Sequence, residues 1–114
     1  MATKLTIREY LAADGTSPFR TWLSRLDVLT RARIQARILR FESGNLGDHR
    51  SVGEGVWEAR CHFGPGYRIY FAKPVATIVL LLVGGDKASQ RADIDKAQKL
   101  WADYLEASNR GTAK

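Results

Sequence analysis

One cysteine, Cys61, in 114 residues excludes an internal disulfide, and with only two histidines, His49 and His62, the chain shows no metal-ligand spacing. Neither a metal nor a cofactor is expected. Long apolar runs are missing as well: the longest, Val75 to Val83 with one Thr, is too short to cross a bilayer, and the N-terminus lacks the apolar core of a signal peptide. The expected location is cytoplasmic, without membrane contact. There is no repeat and no low-complexity segment. Acidic residues are outnumbered, 12 Asp+Glu against 18 Lys+Arg for a net charge of +6, which points to a polyanionic or acidic partner. The remainder, 45% hydrophobic and 26% charged, is ordinary globular composition. A chain this long fits one domain, expected over residues 1–108 with 109–114 a frayed tail, and buries about two thirds of its unfolded surface.

The most informative stretch runs from Trp57 to Lys87. Trp57, Ala59, Cys61 and Phe63 alternate with Glu58, Arg60 and His62, and after Gly64-Pro65-Gly66 the alternation resumes with Tyr67, Ile69 and Phe71 against Arg68 and Tyr70. This predicts an antiparallel hairpin, and pairing odd positions with odd ones places Phe63 opposite Tyr67, His62 opposite Arg68 and Arg60 opposite Tyr70. One face then gathers Glu58, Arg60, His62, Arg68 and Tyr70. Diagonal neighbours sit roughly 7–8 Å apart, so Arg60 and Arg68 would repel by roughly 0.6–2.4 kcal/mol. Two clustered guanidiniums suggest an anion between them.

Upstream, Lys4 to Tyr10 alternates weakly and predicts an edge strand. Ser17-Pro18 is a helix start, with Phe19, Trp22, Leu23 and Leu26 at helical spacing to about Asp27. A second helix over Val28–Phe41 is expected to bury Val28, Leu29, Ala32, Ala36 and Leu39, and Arg33, Arg37 and Arg40 form a ridge on its flank. Such a ridge is ordinarily a solvated face; the alternative is contact with nucleic-acid backbone or an acidic protein segment. Ser43 to Gly55, with four glycines and no periodicity, reads as a loop, and its length makes it a candidate part of a binding site. Val75–Val83, apolar on both faces, belongs inside a sheet and leads to Gly84-Gly85-Asp86-Lys87-Ala88-Ser89, where Lys87 lies beside a helix start. The last helix is expected from Gln90 to about Ala107. These elements make an α+β domain in the order β-α-α-β-β-β-α, a mostly antiparallel sheet whose central hairpin packs against helices.

The runs Gly55-Val56-Trp57-Glu58-Ala59-Arg60, Phe63 to Phe71 and Leu81 to Gln90 resemble the HigB-like branch of the RelE/ParE toxins, the addiction module killer proteins. The resemblance covers nearly the whole chain. It implies a RelE-like fold and a bacterial or phage-derived type II toxin that cleaves mRNA without a metal, usually on the ribosome. It also implies a cognate antitoxin, expected to be a small helix-turn-helix protein through which alone operator DNA would be met. Aligned on Tyr67-Arg68, Arg68 matches the family's phosphate-contacting arginine, Arg60 a strand lysine used in catalysis, and Lys87 the basic residue after the glycine closing the last strand. Where the RelE pattern has a catalytic tyrosine, this chain has Asp93-Ile94, so Tyr70, His62 or Glu58 substitutes or the proton chemistry differs.

Metal-free ribonucleolysis needs a base for the 2′-hydroxyl, an acid for the leaving 5′ oxygen and cations for the phosphorane. Arg60, Arg68 and Lys87 suit the phosphate, Glu58 the base and His62 the acid. Arg33, Arg37, Arg40, Arg50 and Tyr70 are the candidate RNA contacts. A glutamate among arginines is often only an ion-pair ladder, and a lone histidine near a turn is often structural. Two other classes stay open: a ParE-like gyrase inhibitor, which would need no acid/base set, and a degenerate toxin kept as an antitoxin-binding or regulatory partner.

Overall fold

A computed structural model describes residues 4–112, with side chains through residue 109. The elements are β1 (Thr6–Glu9), α1 (Pro18–Ser24), α2 (Val28–Glu42), β2 (His49–Gly53), β3 (Val56–Cys61), β4 (Tyr67–Ala72), β5 (Ile78–Gly85) and α3 (Gln90–Thr112). The architecture is α+β, with a mixed five-stranded sheet in the order β1-β5-β4-β3-β2. Only the β1–β5 pair is parallel. Among the described residues, no helix is long and apolar enough to cross a membrane.

Each sheet face carries its own core. Odd positions of the central strands, Ala59, Cys61, Ile69, Phe71, Val79 and Leu81, pack with Phe19 and Leu23 of α1 and Ile34 and Phe41 of α2. Val56, Tyr70, Ala72, Leu80 and Leu82 pack with Ala97 and Trp101 of α3 on the opposite side. β5 is therefore apolar on both faces because helices cover both, as its sequence implied. The start of α1 also follows expectation: Ser17 Oγ accepts from the Arg20 N–H at 3.0 Å, ahead of Pro18. α3 continues to Thr112, past the expected end near Ala107, and of the expected tail residues 113 and 114 lie outside the described residues.

Three expectations are corrected. The segment read as a loop contains β2, which pairs with β3 through His49↔Ala59, Arg50↔Glu58 and Ser51↔Trp57. The β3–β4 hairpin keeps the expected parity but is displaced by two residues, with Arg60 opposite Arg68 and Glu58 opposite Tyr70. Its turn is wider because Phe63 donates its N–H to Cys61 O and receives that of Gly66 at its own carbonyl, which removes Phe63 from the ladder. On α2 the buried line is Ile34, Arg37 and Phe41, while Val28, Leu29 and Leu39 are 73%, 64% and 64% exposed. The helix has two apolar sides, and the bulkier one faces the core.

At the end of β5 the backbone is crowded. A Cβ added at Gly84 would lie 2.2 Å from the Trp22 ring, which itself packs against Phe19 and Tyr67. Gly84→Ala is expected to cost about 1–3 kcal/mol through overpacking. Urea unfolding followed by tryptophan fluorescence checks this, and an unchanged midpoint would contradict the close approach.

Candidate active site

Two rows of residues cross the sheet on the α3 side. One is Arg50, Glu58, Tyr70 and Val83, and the next is Arg60, Arg68 and Gly85, with Asp48 O accepting from the Arg60 N–H at 2.9 Å. α3 covers the first row; in the second it lies over Gly85 through Asp93 and leaves Arg60 and Arg68 to an open cleft. Hence Glu58 and Tyr70 are fully buried, although strand alternation alone would leave them on an open face.

Glu58 is enclosed by donors. Arg50 Nε reaches Oε1 at 3.0 Å, Tyr70 Oη donates to Oε2 at 3.0 Å, Gln90 Nε2 donates to Oε2 at 2.9 Å, and Arg68 lies 3.5 Å from Oε1. Burial by itself would raise the carboxyl pKa, but the hydrogen bonds from Gln90, Arg50 and Tyr70 and the charge of Arg68 outweigh it and hold it below the ordinary value. Burial and the neighbouring Glu58 charge push the Tyr70 phenol in the other direction, upward. Arg68 is thereby fixed: its side chain is 11% exposed, with Nε 3.4 Å from Gly66 O.

The second row opens onto a cleft of about 390 Å³ lined by Arg60, His62, Phe63, Tyr67, Arg68 and the turn glycines. At its edge Asp48 receives Arg60 at 3.2 Å and His62 Nε2 at 2.6 Å. These bonds from His62 and Arg60 hold the Asp48 carboxylate below its usual range. An ionised carboxylate only accepts, so Nε2 is the protonated nitrogen and Nδ1 is the one left free of Asp48. Arg60 Nε is buried and has no hydrogen-bond acceptor among the described residues. The loop after β5 closes one side: Lys87 donates its N–H to Pro65 O at 3.4 Å, and its Cβ would lie 3.5 Å from a Cβ at Gly66.

The structure thus brings Arg60, Arg68 and His62 to one cleft, sets Glu58 behind Arg68, and places the backbone of Lys87 against the turn that bounds the cleft. Tyr70, an expected RNA contact, is sealed in the core and its hydroxyl is committed to Glu58. Arg37 is removed from the expected ridge: it is 7% exposed, and its guanidinium donates to the carbonyls of Arg60 at 2.6 Å, Leu46 at 3.0 Å and Asp48 at 3.0 Å. It fastens α2 to the strand and loop that carry the cleft. Arg33 and Arg40 stay exposed, with Arg33 5.2 Å above the Phe63 ring, and Arg50 is half exposed beside Glu58. Where a tyrosine stands in the RelE pattern, Asp93 lies over Gly85 and accepts the Ser89 hydroxyl. Asp48 escaped the sequence reading because its place depends on β2. The signal available was the alternation of Asp48, Arg50 and Val52 beside the well-defined β3.

A family model described as "Phage derived protein Gp49-like (DUF891)" matches residues 21–102. An uncharacterized protein of Haemophilus influenzae (strain Rd) is 45% identical over 86 residues, covering 75% of this chain and 87% of that relative. The matched region begins within α1 and takes in α2, the whole β2–β5 meander and the first half of α3, including every residue of the cleft. The chain belongs to the Gp49-like family of phage-derived proteins.

Proposed function

We propose that this protein has the RelE-like fold and is the toxin of a type II toxin–antitoxin pair, a metal-independent mRNA endonuclease acting on the ribosome and neutralised by its antitoxin. The Gp49-like family is consistent with a toxin of this kind. The observation that carries the enzymatic reading is the placement of Arg60 directly opposite Arg68, with the His62–Asp48 pair at the mouth of the same cleft.

In this reading the scissile phosphate lies against Arg60 and Arg68, with Lys87 reaching it from the β5–α3 loop. The 2′-oxygen bonds to phosphorus, the bond to the 5′ oxygen breaks, and a 2′,3′-cyclic phosphate and a 5′-hydroxyl result. Three cations stabilise the phosphorane and favour loss of the 2′-hydroxyl proton to solvent. In its imidazolium form His62 gives its Nδ1 proton to the leaving 5′ oxygen and becomes neutral, while its Nε2–H stays on Asp48, which holds the ring. Glu58 acts as a brace for Arg68 rather than as the base, because four donors already surround it and its pKa is depressed. Exposed Arg50 extends the positive surface along the strand for RNA backbone.

Arg68→Ala tests the assignment. Cleavage is expected to fall about 10²–10³-fold, the usual loss when a preorganised oxyanion donor is removed. Stability should drop by about 1–3 kcal/mol, since a buried carboxylate loses one partner. Arg68→Lys should recover only part of the activity because an ammonium cannot reproduce a two-pronged contact. Thermal melts, RNA-end mapping and growth curves read this out together. A folded Arg68→Ala that cuts like wild type rejects the site, and wild-type growth arrest without new RNA ends favours a gyrase-type inhibitor.

A further inference from the structure

We propose that the outer face of α2 is a docking surface for an amphipathic helix with acidic flanks, carried by a separate partner protein; this rests on the antitoxin reading above and says where that partner binds. At 100° per residue, Val28, Leu29, Ala32, Ala36 and Leu39 lie opposite the buried Ile34, Arg37 and Phe41. The solvent side of a surface helix is ordinarily polar; here its centre is apolar, and three large side chains on it are at least 64% exposed. Ala32 and Ala36, one turn apart, leave room for a second helix backbone at the short end of the 8–10 Å packing range.

The chemistry of the occupant is written on one edge of this stripe. Arg33 and Arg40 are exposed, and neither enters an ion pair among the described residues. Stacking of the Arg33 guanidinium on Phe63 holds its charge in place. A shallow cavity of about 450 Å³ between Arg33, Ala36, Arg40 and Phe63 receives side chains from the occupant. A carboxylate-bearing flank matches these arginines and an apolar face matches the stripe. RNA would match the arginines alone. A second copy in an antiparallel two-fold arrangement would set the Arg33–Arg40 edge against itself. Phe63 lines both this cavity and the cleft that holds Arg60 and Arg68, so a helix seated on α2 borders the mouth of the cleft.

The double variant Ala36→Gln/Leu39→Gln alters the stripe without changing charge, and both positions are exposed sites where glutamine suits a helix. The probe is the protein encoded by the adjoining reading frame, titrated by calorimetry into wild type and variant, with cleavage of free RNA measured in parallel. The expected result is tight binding to wild type, weakened about 100-fold or more by the double variant, with cleavage unchanged. Equal binding to both overturns the α2 surface and leaves the antitoxin reading standing. Absence of binding to wild type overturns that reading and this surface with it. A wild type that dimerises on its own while the variant is monomeric overturns the proposal in favour of a second copy.

Discussion

His62→Ala is expected to lower RNA cleavage by about 10²–10⁴-fold while RNA binding and folding stay close to wild type. The side chain is 70% exposed and its hydrogen bond is to Asp48, so its removal costs no more than the about 0–1 kcal/mol of a surface pair. Arg60 keeps its own contact with Asp48, and the phosphate site therefore remains assembled. The loss should appear in the chemical step: single-turnover rates at saturating enzyme fall, whereas the half-saturation concentration moves little. Asp48→Asn should give a smaller loss, because the amide preserves a contact to Arg60 or His62 but no longer imposes one tautomer. Full-rate cleavage by His62→Ala would show that the proton for the leaving oxygen comes from another group.

The second large effect is on stability. Glu58→Ala is expected to cost about 3–5 kcal/mol, the usual penalty for removing one partner from a buried charged network. Arg68, Arg50, Tyr70 and Gln90 all lose their shared acceptor, and Arg68 and Tyr70 have little access to water in exchange. Glu58→Gln should cost less, since its carbonyl still accepts, but the amide donors face Arg50 and Arg68. The same carboxylate links stability to pH. Its folded pKa lies below the ordinary 4.5, so its stabilisation is present above that value and is lost as pH falls through the lower folded one. Urea titrations of wild type and Glu58→Gln between pH 7 and about 3 isolate this contribution as a difference. Wild type should lose more than the variant, and parallel curves would contradict the depressed pKa.

Much of this was legible before the fold was known. Ser17-Pro18 marks a helix start by local chemistry alone, the alternation across Trp57–Phe71 marks a hairpin, and the doubly apolar β5 marks a strand covered on both sides. What failed depended on contacts that no period records. Alternation put Glu58 and Tyr70 on a common face but could not say that α3 would lie across it and leave Arg60 to an open cleft. Two glycines and a proline announced a turn without fixing how many residues it holds, so the register moved by two residues. α2 offered two apolar sides, and helical periodicity cannot choose between them. Arg37 sat among residues that looked solvated, while the carbonyls it serves come from β3 and from the loop before β2.

The parallel β1–β5 pair has a consequence for how the chain is made. β2 to β5 each pair with their neighbour in sequence, so the cationic row and its cleft close through short loops. β1 is made long before its partner, because it pairs from Thr6↔Ile78 to Glu9↔Leu81 with a strand that follows it only after two helices and three other strands. Contacts of such long sequence separation form slowly. Until they do, the edge of the most apolar strand is bare, a template for other extended chains. The newborn protein is thus expected to present the arginines of the cleft before its sheet is finished, and its vulnerable interval ends when β1 docks.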